Sequence, residues 1–403
     1  MKAVMYGGGN IGRGFIGMLF SQSGYEVTFI DVAKAVVEEM NRERRYPVRI
    51  VYTGGHQDLL VEPVSAVDGN EQEKTAQTIA DADIMATAVG VRVLPYIVPN
   101  IAAGIRKRRE QNGGPLNIII CENLIDADKL MDSLLRKELE EDDTAWYEKN
   151  VGLVEASIGR MVPVQTDEMR DGEPLRVCVE RYGFLPVDKA AFKGEVPRIR
   201  NLVPFEPFGF YIERKLYVHN MGHSVCAYFG DYLGKKFIFQ SIGDSDVRYI
   251  VENAMLESAR AVAGHYEMEL EPLLLHVQDL LNRFTNEALQ DTCARVGGDP
   301  ARKLSPKDRL IGSISLCLEK GIYPAFIMAG AAAAVYRYIR EADGEQGLQE
   351  AERVLKEVSG IEEDSEALKG ILDLYQMLLA GAAVKQIADK ARAMEAEHLG
   401  EII

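Results

Sequence analysis

Lys215, Asn220 and His223 fall within one short segment, KLYVHNMGH, and their side-chain types suit proton chemistry on an alcohol. If the segment is helical, Asn220 and His223 stand three residues apart and share a face. Lys215 and His223 are eight residues apart, a little over two turns, and return near the same side. A lysine whose pKa is lowered by desolvation is a competent general base. An amide N–H stabilises a developing alkoxide, and an imidazole orients a hydroxyl. From spacing alone the plainer reading of Lys215 is a surface lysine. His219 and His223, four residues apart, would make a metal pair, but no third Cys, His or acidic ligand stands in recognisable spacing, so no metal is expected. His56, His265, His276 and His398 are isolated and read as structural or exposed.

A second constellation opens the chain. Gly7, Gly9 and Gly12 form GxGxxG between strand-like KAVMY and the amphipathic segment NIGRGFIGMLF. Gly7 permits a tight turn, Gly9 lets backbone approach a pyrophosphate, and Gly12 lets helix and strand pack closely. Asn10 and Ile11 begin the following helix, whose free N–H groups face the phosphates. The next strand ends in Asp31, where a carboxylate holds a ribose 2′-hydroxyl. That acid repels a 2′-phosphate, so NAD is favoured over NADP, with Lys34 as the opposing feature. The alternative for Asp31 is a helix N-cap. Two later strands close with small or polar residues, Thr87-Ala88-Val89-Gly90 and Cys121-Glu122-Asn123. Ala88 and Val89 admit nicotinamide or ribose at a strand's carboxyl end. Asn123 either faces the same cleft or serves a turn.

These residues need a scaffold. Strand-like runs at 3–6, 26–30, 84–89 and 117–121 alternate with helical stretches such as 11–23 and 97–109, which implies a parallel sheet covered on both faces. Residues 175–182 (LRVCVERY) alternate apolar and polar and read as a later, half-exposed strand. Pro197, Pro204, Pro207 and Gly209 mark a linker. Beyond it, 247–268, 273–281, 308–318, 323–339, 348–358 and 365–380 carry helical apolar spacing. The expectation is α/β: a Rossmann-type dinucleotide domain over 1–200 and a mainly α-helical substrate and catalytic domain over 201–403. The length, 403 residues, suits two domains. Five scattered cysteines with no CxxC pair argue against disulfide scaffolding or structural zinc and fit a reducing cytoplasm. No signal peptide is read at the start, and 325–335 (AFIMAGAAAAV) is too short for a membrane span. A net charge of −16 argues against nucleic acid as a partner and means that an anionic substrate needs a local basic patch.

Taken together the motifs resemble the long-chain polyol dehydrogenases, the mannitol dehydrogenase family. The resemblance covers essentially the whole chain. It is carried by GGGNIGRGFIG, TAVG, CEN, KLYVHNMGH and RVGGDPARKLSPKDRL at 295–310. The Lys-x4-Asn-x2-His pattern is a family signature, and the resemblance implies that Lys215 is the catalytic base. It also implies that Asn123 and Asn220 flank the reacting oxygen and that no metal is needed. Mannitol 2-dehydrogenases and uronate reductases usually carry an extension before the glycine turn. Its absence points to the phosphate-using branch, which interconverts mannitol 1-phosphate and fructose 6-phosphate. Arg295, Arg302, Lys303 and Arg309 would then supply the basic patch, the alternative being ordinary surface charge. One departure stands out. The family's Asp-Arg pair is Gly159-Arg160 here, so Arg160 remains as a substrate contact while the carboxylate is gone, and the exact polyol stays open. The competing readings are a reductase of an unphosphorylated polyol or sugar acid on the same scaffold, and a non-catalytic NAD-binding sensor, which would need no base. The expected partner is a small sugar phosphate or polyol, with the protein a monomer or small homo-oligomer.

Overall fold

The computed structural model of the chain describes residues 1–400 apart from 343 and 345. It divides into two compact units, Met1–Tyr211 and Ile212–Ile403.

The strands of the first unit are β1 (Lys2–Tyr6), β2 (Glu26–Asp31), β3 (Tyr46–Tyr52), β4 (Gly55–Val61), β5 (Val64–Asp68), β6 (Ile84–Thr87), β7 (Leu116–Ile120), β8 (Val151–Glu155), β9 (Val177–Val179), β10 (Leu185–Asp188) and β11 (Leu202–Phe205). Six of them form a parallel sheet in the order β5-β2-β1-β6-β7-β8. The order reverses between β1 and β6, which opens a crevice beyond their carboxyl ends. β1 shows how the sequence builds the layers. Ala3 and Met5 point into one apolar core with Phe15, Leu19 and Phe29, while Val4 and Tyr6 point into the other with Ile97, Ile101 and Ile118. Strict alternation on a strand buried on both faces yields a continuous apolar run, as KAVMY reads.

Three features depart from the sequence reading. Residues 46–61 form a hairpin, β3 with β4, joined through Thr53-Gly54. The strand expected over 175–182 is only β9, parallel to β3 and wholly buried, because it lies beneath the helix after the glycine turn, whose Gly14 Cβ would meet Val177 and Val179 at 2.7 and 2.8 Å. The proline cluster carries β11, which pairs in parallel with β10, so residues 202–205 belong to the first unit rather than to a linker.

Every described element of the second unit is helical. At its centre lies Met221–Tyr232, buried from Met221 to Gly230. The alanine-rich helix Ala325–Glu341 packs on it, and a Cβ at Gly330 would meet Val225 at 2.4 Å, so glycine there sets the close approach. Ser245–Tyr266 packs on both, with its N-terminus capped by Asp244. Among the described residues no helix is long and apolar enough to cross a membrane.

Candidate active site

In the first unit the site is made largely of backbone. Gly7 has φ +105°, and a Cβ on it would lie 2.5 Å from the carbonyl oxygen of Ala88. A Cβ on Gly12 would lie 1.9 Å from the carbonyl oxygen of Gly7. Gly9 differs: a Cβ there would meet nothing within 4 Å. Gly7 and Gly12 are therefore required by protein packing, whereas Gly9 leaves open space of the kind a pyrophosphate needs. Asn10, exposed, and Ile11, packed on the core, open the helix, which runs as a π-helix over Gly12–Gly17 before Met18–Gln22.

Asp31 ends β2 beside this turn. Its Oδ2 accepts the Gly8 N–H at 2.6 Å and its Oδ1 accepts the Ala33 N–H at 2.8 Å. The following helix, Lys34–Glu43, has Ala33 as its N-cap with no side-chain cap, so Asp31 is not the helix cap. Ala88 and Val89 follow β6, and here the sequence reading missed a partner. Glu122, buried, accepts the Val89 N–H at 3.0 Å and the Gly90 N–H at 2.7 Å. One carboxylate thereby fixes the chain beside the crevice. The hint in the sequence is an acid closing the apolar run 118–121 (IIIC). Asn123 follows it, exposed, at the carboxyl end of β7. Arg160 lies in the interior of this unit. It donates to the carbonyls of Gly14 at 2.9 Å and Glu180 at 3.1 Å, and stacks over Phe15. At Gly159 the ring of Tyr182 stands 3.1 Å from where a Cβ would be.

The second unit builds its site from side chains. Lys215 and Asn220 lie in a second π-helix, Arg214–Asn220, and His223 lies in the α-helix Met221–Tyr232 that continues it. The π-winding matters, because residues five apart in an α-helix point about 140° apart, whereas bonds spanning five residues bring them back toward one side. Lys215 titrates low, at about 8, through desolvation and then through the field of Arg309. His219 is pushed well below its ordinary value by burial, and His223 is lowered to about 4, also by burial, against the opposing pull of Asp291. Both imidazoles are therefore neutral near pH 7. Their ring centres are 6.1 Å apart, and His223 stacks on Phe284. Among the described residues no group of three or more His, Cys, Asp or Glu is placed to hold a metal ion. The half-buried Asn220 accepts the Ser224 hydroxyl on its backbone carbonyl and has no side-chain hydrogen bond among the described residues.

The four basic residues separate into two kinds. Arg295 is held bidentately by Asp291, and Arg302, half exposed, is held by Asp299 and Asp308. Lys303 is buried and forms no ion pair among the described residues; burial and then the fields of Arg309 and Arg302 lower it to about 8. The Arg309 guanidinium engages Asp308 through Nε, and the Arg309 backbone N–H donates to the same oxygen. Lys303 and Arg309 are thus the cations with charge to spare.

Comparison with known proteins places this arrangement. The model of the mannitol dehydrogenase Rossmann domain matches residues 1–201, and that of the mannitol dehydrogenase C-terminal domain matches residues 208–394. A mannitol-1-phosphate 5-dehydrogenase of Brevibacillus brevis is 38% identical over 344 residues, 85% of this chain and 88% of that protein. Among solved structures, a substrate-free D-sorbitol dehydrogenase superposes with TM-score 0.78 at 14% identity, covering 97% of this chain and 94% of the other. A Pseudomonas fluorescens mannitol 2-dehydrogenase in ternary complex with NAD and D-mannitol superposes with TM-score 0.71 at 12% identity, covering 98% and 94%.

Proposed function

The chain belongs to the mannitol dehydrogenase family, and on that premise we propose that it is an NAD-dependent polyol-phosphate dehydrogenase interconverting mannitol 1-phosphate and fructose 6-phosphate. The observation that carries this reading is a pair of desolvated lysines, Lys215 and Lys303, both lowered to about 8 and both under the field of Arg309. The two have different work. Lys215, in line with Asn220 and His223 on the winding helix, is the base. Lys303, a buried cation with no ion pair among the described residues, is the anchor for a phosphate, with Arg309 beside it. A chain of net charge −16 needs such a local excess of positive charge to hold an anionic sugar. The name of the Brevibacillus relative supports the same substrate class.

In the oxidising direction neutral Lys215 removes the substrate hydroxyl proton. Asn220 donates its amide N–H to the oxygen as charge develops there. When bound, NAD supplies the hydride acceptor. The open cradle at Gly9 and the Asp31 carboxylate fit its pyrophosphate and ribose. In the reducing direction protonated Lys215 returns the proton. No step calls for a metal.

The test is a comparison of sugars. The unmodified protein should oxidise NADH with fructose 6-phosphate far faster than with fructose. Lys303→Met should raise KM for fructose 6-phosphate by about tenfold or more, the worth of one charge-assisted contact, and leave KM for NADH unchanged. Equal rates on both sugars would remove the phosphate from the proposal. They would favour a free polyol or sugar acid, the reading that Gly159 keeps open.

A further inference from the structure

Asp291 touches two members of the second unit's site at once. It is 9% exposed and sits just before the short helix Cys293–Gly297. Its Oδ1 accepts from Nε of Arg295 at 2.7 Å and its Oδ2 from Nη2 at 2.6 Å. The same Oδ2 lies 3.5 Å from Nε2 of His223. The His223 ring cannot turn freely, because it stacks on Phe284 at 4.7 Å with planes 12° apart. Its Nε2 is buried and makes no hydrogen bond among the described residues.

A neutral imidazole has one N–H and one lone pair, and the partner of one nitrogen decides which is which. A lone pair on Nε2 would face a carboxylate oxygen and be repelled by it. An N–H there faces an acceptor. The distance lies just beyond the ordinary N–H···O range, and contacts at reacting sites are often long until substrate binds and then tighten. A buried donor left unmade carries a real cost, which favours that closure.

We propose that Asp291 is a positioning residue that fixes His223 in the tautomer protonated at Nε2, leaving Nδ1 as a hydrogen-bond acceptor for a substrate hydroxyl. The inference rests on reading Lys215, Asn220 and His223 as the reacting set. It adds a division of labour to that set. Asn220 donates, His223 accepts, and Lys215 moves the proton. A hydroxyl meeting Nδ1 must be the donor, which fixes the direction of its O–H bond. Burial keeps His223 neutral near pH 7, so the tautomer and not the charge is what Asp291 controls. Arg295 completes the device, because its bidentate grip stops the carboxylate rotating away from the ring.

The decisive measurement is the tautomer itself, read by nitrogen-15 NMR of the full-length protein labelled at histidine, with the His223 signal assigned by its loss in His223→Gln. The unmodified protein should show His223 protonated at Nε2. In Asp291→Asn the amide can donate to Nε2, so the Nδ1-protonated form should gain population. With it kcat should fall by about tenfold or more, as when the carboxylate behind a catalytic imidazole is changed, while KM for NADH stays unchanged. His223 protonated at Nδ1 in the unmodified protein would overturn the proposal, whatever the variant does. So would an Asp291→Asn protein with tautomer and kcat both unaltered. The NMR result is independent of turnover, so a failure of Lys215 as base would sink the reacting set and leave the tautomer result standing.

Discussion

The two units hold their candidate groups by different physical means. In the first, the candidate ligand-binding groups are backbone atoms held by glycines and by the ends of strands, and the side chains beside them, Asp31 and Glu122, themselves grip backbone N–H groups. In the second, the groups are side chains drawn from separate helices, and their chemistry is set by desolvation and by which cations are already paired. A backbone site is written in a few adjacent residues. A side-chain site is written in packing between distant ones.

The difference predicts separable failures. The largest should come from Lys215→Ala. Removing a positioned base commonly costs about 10²–10⁴-fold in rate, so kcat should collapse while NADH binding, followed by fluorescence titration, stays near that of the unmodified protein. A joint loss would mean that the two functions are not separable as described.

Within the first unit, Gly12→Ala and Gly9→Ala should part company. The added methyl at position 12 meets the Gly7 carbonyl, and overpacking of this kind costs about 1–3 kcal/mol, so the melting temperature should drop and NADH binding with it. At position 9 the methyl meets no protein atom. The melting temperature should hold while NADH binding weakens by about tenfold, or 1.4 kcal/mol. A Gly9→Ala protein that binds NADH normally would show that the open space is not the pyrophosphate's.

The smallest effect concerns cofactor choice. Asp31→Ser should narrow the preference for NADH over NADPH by about 1–3 kcal/mol, the range for a charge-assisted hydrogen bond. Equal use of both cofactors by the unmodified protein would contradict the role given to Asp31.

How much of this was legible in the sequence follows the same division. The strand, glycine turn and Asp31 could be read directly, because each residue's task is local. The helices of the second unit were legible from apolar spacing, for instance 247–268 against the observed Ser245–Tyr266 and 273–281 against Glu271–Phe284. The π-winding over Arg214–Asn220 was not, since side-chain periodicity does not reveal which carbonyl an N–H will choose. Nor could the sequence tell Lys303 from Arg302. They are neighbours of like charge, and only the fold pairs one with Asp299 and Asp308 and buries the other. Glu122 stayed hidden for a similar reason: its partners are N–H groups more than thirty residues away. The β3–β4 hairpin was missed although Thr53-Gly54 marks its turn, because only half of β4 is apolar and the edge strand faces solvent.

The central claim is that a desolvated lysine in the helical unit moves the proton, and the pH profile of kcat tests it most directly. Lys215 titrates near 8. Oxidation of mannitol 1-phosphate needs it neutral, so the rate should rise with pH through about 8 and level off above. Reduction of fructose 6-phosphate needs it protonated, so that rate should fall as pH rises through the same value. Both limbs should vanish from the residual activity of Lys215→Ala. If Lys215→Ala keeps near-full activity, or keeps either limb, the base lies elsewhere and the account is wrong.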